Sequence, residues 1–498
     1  MPKIQEEFFS MDENKEHLLV KKFLEEHSLV ESNILSFNNF IDHRMQLICQ
    51  EVNKNLVSED VTIELGKIRV EKPDLIEADG SKHPLLPTEA RLRNMTYSAP
   101  VYMEITVRAG NESEHSEVEI GRIPIMVKSK YCHLHNFTKE QLIEQNIDPA
   151  DPGGYFIVNG NERVLVLLED LAPNIPFIIE DAKEKATLRI LSQRGAYRIP
   201  TTLSESAEGL MQLSFSRFKD IPAIPLIKAL GIIKDADIAG LIGKENDSFV
   251  VNLYEYADIH TVNDAVTSII EKTGMVGTKK EAVEKLRSRI DSYLLPHIGV
   301  SEDSRIEKAI TLCKLIKQFS IVKEKKLITD KDHYANKRVK LSGDLFSDLF
   351  RVNLTILLRD IQHSLQRLSK KKKIYSLKTL AKSTLFTHRI ESAIATGSWI
   401  GEKTGVTQNM DKTNYLAMLS KLQYVVSMLP TEQENFRART LHPTHYGRFC
   451  PIETPEGTPI GLRKNLALLA KISTAVVLDE KSFVKTLEEN GMKKIEIK

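Results

Sequence analysis

The stretch from Arg437 to Leu469, here called the cationic loop, concentrates the side chains whose types could do chemistry. Its charged and imidazole groups are Arg437, Arg439, His442, His445, Arg448, Glu453, Glu456, Arg463 and Lys464. Guanidinium groups are permanently charged forks that match phosphate oxygens, and a histidine can donate a hydrogen bond to phosphate or ribose. A structural hydrogen bond is an equal alternative for each histidine. We therefore predict that the loop faces an anionic ligand, with phosphate the best fit.

The backbone of the same loop is constrained by four prolines and three glycines, namely Pro443, Pro451, Pro455, Pro459, Gly447, Gly457 and Gly461. Proline fixes φ and removes a donor, whereas glycine adopts conformations that other residues avoid. A helix is therefore excluded over most of the loop, and a regular central strand is disfavoured. Apolar residues such as Tyr446 and Phe449 provide anchors. The sequence thus predicts a stiff, anchored loop that holds its side chains still.

The two glutamates of the loop do not form a metal site by their spacing. Glu453 and Glu456 are three residues apart, but Pro455 between them prevents the helix that would place both on one face. A hard divalent cation needs clustered oxygen ligands. A glycosidase-like carboxylate pair is disfavoured by the surrounding arginines. A lone D-x-D at Asp235 and Asp237 is predicted to begin a helix.

The net charge of +1 conceals a division along the chain. Residues 331–464 contain 22 Lys and Arg against 11 Asp and Glu, a net charge of +11, whereas residues 1–330 carry a net charge of −11. A surface that approaches nucleic acid needs local positive potential. The alternative is that the charge is divided by chance. Because the basic segment also contains the cationic loop, we favour a nucleic-acid-facing surface.

Cysteine spacing and hydropathy exclude several classes of protein. The four cysteines (Cys49, Cys132, Cys313 and Cys450) form no C-x-x-C pair and have no histidine at ligand spacing. Neither a zinc site nor a disulfide framework is expected. No apolar run approaches the roughly 18 residues of a membrane span, and the acidic N-terminus lacks the pattern of a secretory signal. We expect a cytoplasmic protein with no membrane contact.

Periodicity predicts an α+β multidomain chain. Helical spacing over the first 55 residues is followed by strands over 61–70, with a turn at Gly66–Lys67. An Asn159–Gly160 pair predicts a type I′ hairpin, and Gly110–Asn111 predicts another turn. Ile178, Leu188 and Ile190 indicate strands of a separate α+β segment, and Ile221–Ile233 an apolar buried element. A long amphipathic helix through Leu354–Leu368 is followed by Lys370–Lys373, which either complement its dipole or contact DNA, and a helix from Tyr415 to Val425 precedes the cationic loop.

Several sequence blocks resemble one family. H-P-T-H-Y-G-R-F-C-P-I-E-T-P-E-G followed by G-L-R-K-N-L-A closely resembles the fork region of the second-largest subunit of multisubunit RNA polymerases. Further blocks of the same resemblance are R-I-P-I-M-V-K-S-K-Y-C, D-P-G-G-Y-F-I-V-N-G-N-E-R-V-L-V, D-K-D-H-Y-A-N-K-R, A-T-G-S-W-I-G and T-G-V-T-Q. An ordered match of this length is far more specific than a single glycine motif.

The resemblance implies a domain organisation. It implies a protrusion over 1–175 and 326–396, a lobe over 176–325, a fork over 397–462 and the start of an external region over 463–498. Only about 29 residues follow Leu469. The expected protein is therefore the N-terminal fragment of a naturally split, archaeal-type second-largest subunit.

The same resemblance implies functional roles. It implies an enzyme, DNA-directed RNA polymerase, that is inactive without its other subunits. Lys337 and Arg338 join the cations and histidines of the loop as nucleic-acid or nucleotide contacts, and Glu453 and Glu456 line the active site without binding metal. The resemblance places the catalytic Mg²⁺ on the largest subunit. Expected partners are that subunit, the complementary C-terminal fragment, other polymerase subunits, template DNA and nascent RNA. The alternatives are a non-enzymatic nucleic-acid-binding protein and an assembly scaffold with the same fold.

Overall fold

The computed structural model describes residues 13–53, 61–109, 112–180, 186–195, 197–243, 247–275, 278–325, 329–369, 381–401, 403–474 and 480–492. The chain forms two compact units. The first comprises residues 1–169 and 339–498, and the second comprises residues 170–338. The second unit is therefore inserted into the sequence of the first. Both units contain helices as well as strands, which confirms the predicted α+β multidomain class.

The strands are β1 (Val61–Val70), β2 (Asp74–Ile76), β3 (Lys82–Pro84), β4 (Ser98–Ala109), β5 (Glu112–Pro124), β6 (Phe156–Val158), β7 (Asn161–Leu165), β8 (Leu167–Leu171), β9 (Pro176–Glu180), β10 (Ala186–Arg194), β11 (Tyr197–Glu205), β12 (Met211–Phe215), β13 (Phe218–Pro222), β14 (Lys337–Lys340), β15 (Thr407–Asn409), β16 (Tyr424–Ser427) and β17 (Arg463–Asn465).

The α-helices are α1 (Glu13–Glu26), α2 (Glu31–Asn39), α3 (Met45–Asn53), α4 (Pro87–Leu92), α5 (Lys139–Glu144), α6 (Ala223–Ala229), α7 (Asp235–Ile242), α8 (Asp247–Glu255), α9 (Val262–Thr273), α10 (Lys279–Tyr293), α11 (Arg305–Lys325), α12 (Ser342–Ser369), α13 (Ser383–Thr396), α14 (Tyr415–Leu422), α15 (Phe436–Arg439) and α16 (Glu480–Glu489). A π-helical segment, Phe40–Arg44, connects α2 to α3.

The core of the first unit forms between helices and the antiparallel sheet β1–β4–β5. Alternate residues of β4, such as Val101, Met103 and Ile105, are buried because side chains of a strand point alternately to its two faces. Aromatic rings extend this core, and Phe346 of α12 lies 5.3 Å from the ring of Phe37. The amphipathic helix predicted through Leu354–Leu368 is confirmed as part of α12.

Local turn chemistry was predicted correctly at one position and wrongly at another. Asn159 (φ 49°) and Gly160 (φ 74°) connect β6 to β7, so the two positive φ values of a type I′ turn are confirmed. The turn predicted at Gly66–Lys67 is wrong. These two residues form an irregularity within β1, where the pairing to β4 shifts register between Leu65 and Ile68.

A sheet of order β14–β8–β16–β17 positions the cationic loop. Strand β16 pairs parallel to β8 and antiparallel to β17, which is the loop's own strand. The predicted helix over Tyr415–Val425 ends earlier than expected, at Leu422, and Val425 is a strand residue. β-branched residues at 425 and 426 fit a pleated strand better than a helix, which explains the difference.

The second unit contains one five-stranded antiparallel sheet of order β13–β12–β11–β10–β9. The strands predicted at Ile178, Leu188 and Ile190 are confirmed, and these side chains are buried beneath helices including α6 and α11. Asp235 and Asp237 lie in the first turn of α7, which confirms the predicted helix start.

Two predictions lie outside the described residues, the turn at Gly110–Asn111 and the role of Lys370–Lys373. Within the described part of the chain, no helix is long and apolar enough to cross a membrane.

Candidate nucleic-acid interface

The cationic loop has little regular structure, as its prolines require. It contains the end of α15, a 3₁₀ turn over Pro443–His445 and the short strand β17. At Gly461 the backbone has a φ of 70°, and an added Cβ would lie 2.1 Å from the carbonyl oxygen of Arg439. Only glycine fits at this position, because any side chain would collide with that backbone. The two ends of the loop are thus in direct contact.

The guanidinium group of Arg439 holds this contact together. Its Nη1 donates to the carbonyl oxygens of Thr458 at 2.6 Å and Ile460 at 3.1 Å. Its Nη2 donates to those of Thr431 at 2.8 Å and Gln433 at 3.2 Å. Four charge-assisted hydrogen bonds therefore join the 431–433 tip to the segment before β17. In this arrangement Arg439 organises the loop, while its predicted contact with phosphate stays a prediction.

The two histidines also have structural partners. His442 precedes the 3₁₀ turn, and its Nδ1 lies 3.2 Å from the backbone nitrogen of Thr444 and 2.7 Å from that residue's Oγ1. His445 is buried, and its ring meets Phe449 edge-on at 6.1 Å. Both rings therefore stabilise the turn. The structural alternative given above for each histidine has direct geometric support.

Glu453 and Glu456 have different surroundings. The Oε1 of Glu453 accepts hydrogen bonds from Ser420 Oγ at 2.7 Å and from Asn465 Nδ2, which connects the loop to α14 and β17. Glu456 is exposed and has no hydrogen-bond partner among the described residues. The two carboxylates do not form a metal-ligand group. Among the described residues, Glu77, His83 and Glu89 have possible metal-ligand atoms that all lie within 4.8 Å of one another.

That Glu77–His83–Glu89 group is already neutralised by an arginine. Arg93 Nη1 lies 2.6 Å from Oε1 of Glu77 and 2.9 Å from Oε1 of Glu89. A guanidinium between two carboxylates occupies the position of a cation. The group is therefore an ion-pair network.

The loop cations fall into exposed and buried groups. Within the described part of the chain, the exposed guanidinium of Arg437 has no partner, and that of Arg448 donates only to the carbonyl oxygen of Thr444, at 3.2 Å. Lys464 is the opposite case, because its Nζ lies 2.9 Å from Oε2 of Glu169 and both side chains are buried. Arg437 and Arg448 are thus available to an external anion, whereas the charge of Lys464 is balanced internally.

Lys421 is a cation that sequence reasoning missed. Its Nζ lies 5.1 Å from the ring centre of Tyr424, and the guanidinium of Arg463 lies 5.8 Å from the same ring. Burial lowers the pKa of Lys421, and the nearby charge of Arg463 lowers it further. Two cations share one aromatic ring because β17 pairs with β16. Nothing in the local sequence signals that pairing.

Lys337 and Arg338 belong to the second unit. Lys337 lies 3.5 Å from Oδ1 of Asp332 and its Nζ is 5.1 Å from the ring centre of Tyr334. Arg338 is exposed and donates to the carbonyl oxygens of Ala335 and Lys337. Asp330 and His333 make local hydrogen bonds here. The predicted contact of Lys337 and Arg338 with nucleic acid stays a prediction.

Comparisons with known proteins identify relatives along nearly the whole chain. A family model described as RNA polymerase beta subunit matches residues 28–388, and one described as RNA polymerase Rpb2, domain 3, matches residues 408–472. The chain is similar to DNA-directed RNA polymerase subunit Rpo2N of Halobacterium salinarum, with 39% identity and 97% of each chain covered. The chain is also similar to subunit Rpo2N of Methanocaldococcus jannaschii, with 38% identity over 95% of this chain and 98% of that one.

A longer relative is matched only in part. The chain is 40% identical to DNA-directed RNA polymerase subunit Rpo2 of Saccharolobus shibatae over 490 residues. The match covers 96% of this chain but 43% of that protein. The chain thus spans less than half the length of Rpo2 and nearly all of Rpo2N.

Proposed function

The chain belongs to the RNA polymerase beta subunit family, and from this premise we propose that it works as a subunit of a multisubunit DNA-directed RNA polymerase. In this proposal it lines the active-centre cleft and contacts DNA, RNA and the incoming nucleotide. The observation that carries the proposal is the cationic loop, where a fixed backbone presents exposed Arg437 and Arg448. Guanidinium groups held in this way suit the oxygens of phosphate.

The side chains of the loop favour a complex in which this chain positions phosphate and another subunit binds the metal. Nucleotide addition needs divalent metal to activate the attacking hydroxyl and to neutralise the triphosphate. The carboxylate of Glu453 is engaged by Ser420 and Asn465, and Glu456 is alone, so these residues do not fit a Mg²⁺ site. We therefore assign the catalytic Mg²⁺ to the largest subunit. This chain contributes positioning and electrostatic stabilisation of phosphate.

The loop residues have three roles in this proposal. Arg437, Arg448 and Arg463 bind phosphate or nucleotide, with Lys421 added beside Arg463. Arg439 and the histidines His442 and His445 hold the loop in its shape. Glu456 lies beside the incoming nucleotide and orients neighbouring cations.

Domain names and partners are part of the proposal. Residues 1–175 and 326–396 form the protrusion, 176–325 the lobe, 397–462 the fork and 463–498 the start of an external region. The compact unit of residues 170–338 supports a separate lobe. The proposed partners are the complementary C-terminal fragment, the largest subunit, other polymerase subunits, template DNA and nascent RNA. The similarity to Rpo2N, 97% of which is covered, supports the proposed complementary fragment.

Reconstitution tests the proposal. The complete set of polymerase subunits, assembled with and without this chain, is assayed for promoter-independent RNA synthesis. We expect synthesis only when the chain is present, and none from the chain alone. Full activity without it would instead favour the alternative of a non-enzymatic binding protein or scaffold.

Salt dependence tests the role of the exposed arginines. The affinity of the reconstituted enzyme for a primed template is measured over a range of KCl concentrations for R437Q/R448Q. Each lost phosphate contact reduces the slope of log affinity against log salt by roughly 0.7–0.9. The control is R108Q, which removes an exposed arginine of β4 that pairs with Glu64. Equal slopes for the double variant and the unaltered chain would contradict phosphate binding by the loop.

A further inference from the structure

The second unit contains a cavity that the proposed function does not use. It has a volume of about 470 Å³ and lies between the end of β10 and the turn that joins α10 to α11. Its walls are formed by Asn174, Gln193, Arg194, His297 and the segment 298–301. Volumes of roughly 300–1,000 Å³ are typical of sites for small molecules.

The wall beside β10 is fixed by hydrogen bonds. Asn174 has a left-handed backbone (φ 62°), and its Oδ1 accepts from the backbone nitrogen of Gln193 at 2.8 Å. Its own backbone nitrogen donates to the carbonyl oxygen of Leu191 at 2.9 Å. The cavity therefore exists before any ligand arrives, which reduces the entropy cost of binding.

The ring of His297 is oriented by a buried hydroxyl. Ser192 is fully buried, and its Oγ accepts from the backbone nitrogen of His297 at 3.3 Å and lies 2.7 Å from Nδ1 of the ring. In the tautomer that carries its ring proton on Nε2, the hydroxyl of Ser192 donates to Nδ1. Among the described residues Nε2 has no partner, so it is left to donate to a ligand.

Arg194 lines the cavity, and Lys308 lies within electrostatic reach of both Arg194 and His297. The exposed guanidinium of Arg194 has no partner in the described part of the chain. Fully buried Lys308 donates to the carbonyl oxygens of Ile290 and Asp291. The carboxylate of Asp291 is bound at both oxygens by Arg305, which also lies 3.0 Å from Oε1 of Glu302.

The pKa values report the positive charge near this cavity. The pKa of Lys308 is lowered to about 8, mainly by burial; the charge of Asp291 opposes this shift, and the charges of Arg305 and Arg194 add to it. Burial, followed by the charge of Lys308, also lowers the pKa of His297. An anion in the cavity would relieve this mutual repulsion.

We propose that this cavity binds a phosphorylated small molecule, with the phosphate between Arg194 and Nε2 of His297. The backbone amides of Gly299 and Val300 donate no hydrogen bond to the described residues and complete the set of donors. Backbone amides, a guanidinium and an imidazole are typical ligands of phosphate oxygens. A phosphate alone would leave most of the volume empty, so the ligand carries an organic group.

The test is a titration of the full 498-residue chain, labelled with ¹³C in its histidines, followed by NMR. The probes are inorganic phosphate, ribose 5-phosphate and ribose, and H297Q assigns the reporting resonance. We expect saturable shifts with both phosphate compounds, tighter binding of ribose 5-phosphate, and none with ribose. The pKa of His297 should rise when either phosphate compound binds, because a nearby anion favours the imidazolium ion.

A matched pair of variants assigns the binding to the cavity. R194Q should weaken the binding of ribose 5-phosphate by roughly tenfold or more, as expected for a charge-assisted contact. R189Q removes the same charge from an exposed position of the same strand and should leave the affinity unchanged. Equal weakening by both variants would indicate diffuse surface charge and overturn the proposal. The absence of a saturable shift, or equal binding of ribose, would overturn it too.

Discussion

Lys464 and Glu169 form a buried ion pair, with Nζ 2.9 Å from Oε2 and each side chain less than a tenth exposed. Lys464 lies on β17 and Glu169 on β8, and β16 runs between these two strands. A lysine side chain is long enough to reach across one intervening strand. The pair therefore fastens the end of the cationic loop to the core of the first unit.

Replacing Lys464 by methionine should destabilise the chain by about 3–5 kcal/mol, because the buried carboxylate of Glu169 would lose the charge that lies 2.9 Å from it. Urea unfolding measures the change. The double variant K464M/E169Q removes both charges and should be more stable than K464M. If K464M unfolds at the same urea concentration as the unaltered chain, the pair does not hold the loop.

Replacing Arg439 by lysine should loosen the 431–433 tip, because one ammonium group cannot reproduce two pairs of carbonyl contacts. Cleavage by a glutamate-specific protease at Glu432 and Glu434 reports the change, and we expect faster cleavage in R439K. R437K is the control, since Arg437 is exposed in the same short helix. Identical cleavage rates in both variants would show that Arg439 does not organise the tip.

Two glycines of the loop separate backbone strain from steric collision. Gly461 and Gly447 have φ values of 70° and 75°, but a Cβ would meet nothing within 4 Å at Gly447. Gly447→Ala should therefore cost only the left-handed backbone penalty of about 1–2 kcal/mol. Gly461→Ala should cost clearly more, because its Cβ would strike Arg439. Thermal unfolding of the two variants measures the difference, and equal costs would contradict the close contact.

The stability of the second unit should depend on the titration of Lys308. Its pKa is lowered to about 8 by burial, so between pH 8 and about 10.5 the unfolded chain binds more protons than the folded chain. The contribution of this residue to stability therefore rises with pH in that window, by about 2–3 kcal/mol from pH 7 to pH 10. Urea unfolding of K308M at the two pH values should lack this gain. If the free energy of unfolding changes with pH equally in K308M and in the unaltered chain, the lowered pKa of Lys308 is contradicted.

Local sequence was sufficient where a structure depends on neighbouring residues. The Asn159–Gly160 turn and the helix start at Asp235 were predicted correctly, because positive φ and helix-dipole preferences act within a few residues. The irregularity at Gly66–Lys67 was mistaken for a turn, since both disrupt the alternation of a strand in the same way.

The cationic loop was identified from its composition, but the partners of its side chains were not. Arg439 binds carbonyl groups at both ends of the loop, and Lys464 binds Glu169 nearly 300 residues earlier. Lys421 and Arg463 meet at Tyr424 only because β16 pairs with β17. Residue types indicate that a cation is present, whereas the tertiary fold decides whether its charge faces outward or is balanced internally.

We propose that this chain positions phosphate while the metal is held elsewhere in the enzyme. The most direct test is a Mg²⁺ titration of RNA synthesis by the reconstituted polymerase carrying E453Q/E456Q. We expect an unchanged Mg²⁺ concentration at half-maximal rate, whatever the effect on the rate itself. The loss of a group that supports a metal site would raise this Mg²⁺ concentration by roughly tenfold or more. Such a rise would contradict the proposal and place the metal on the cationic loop.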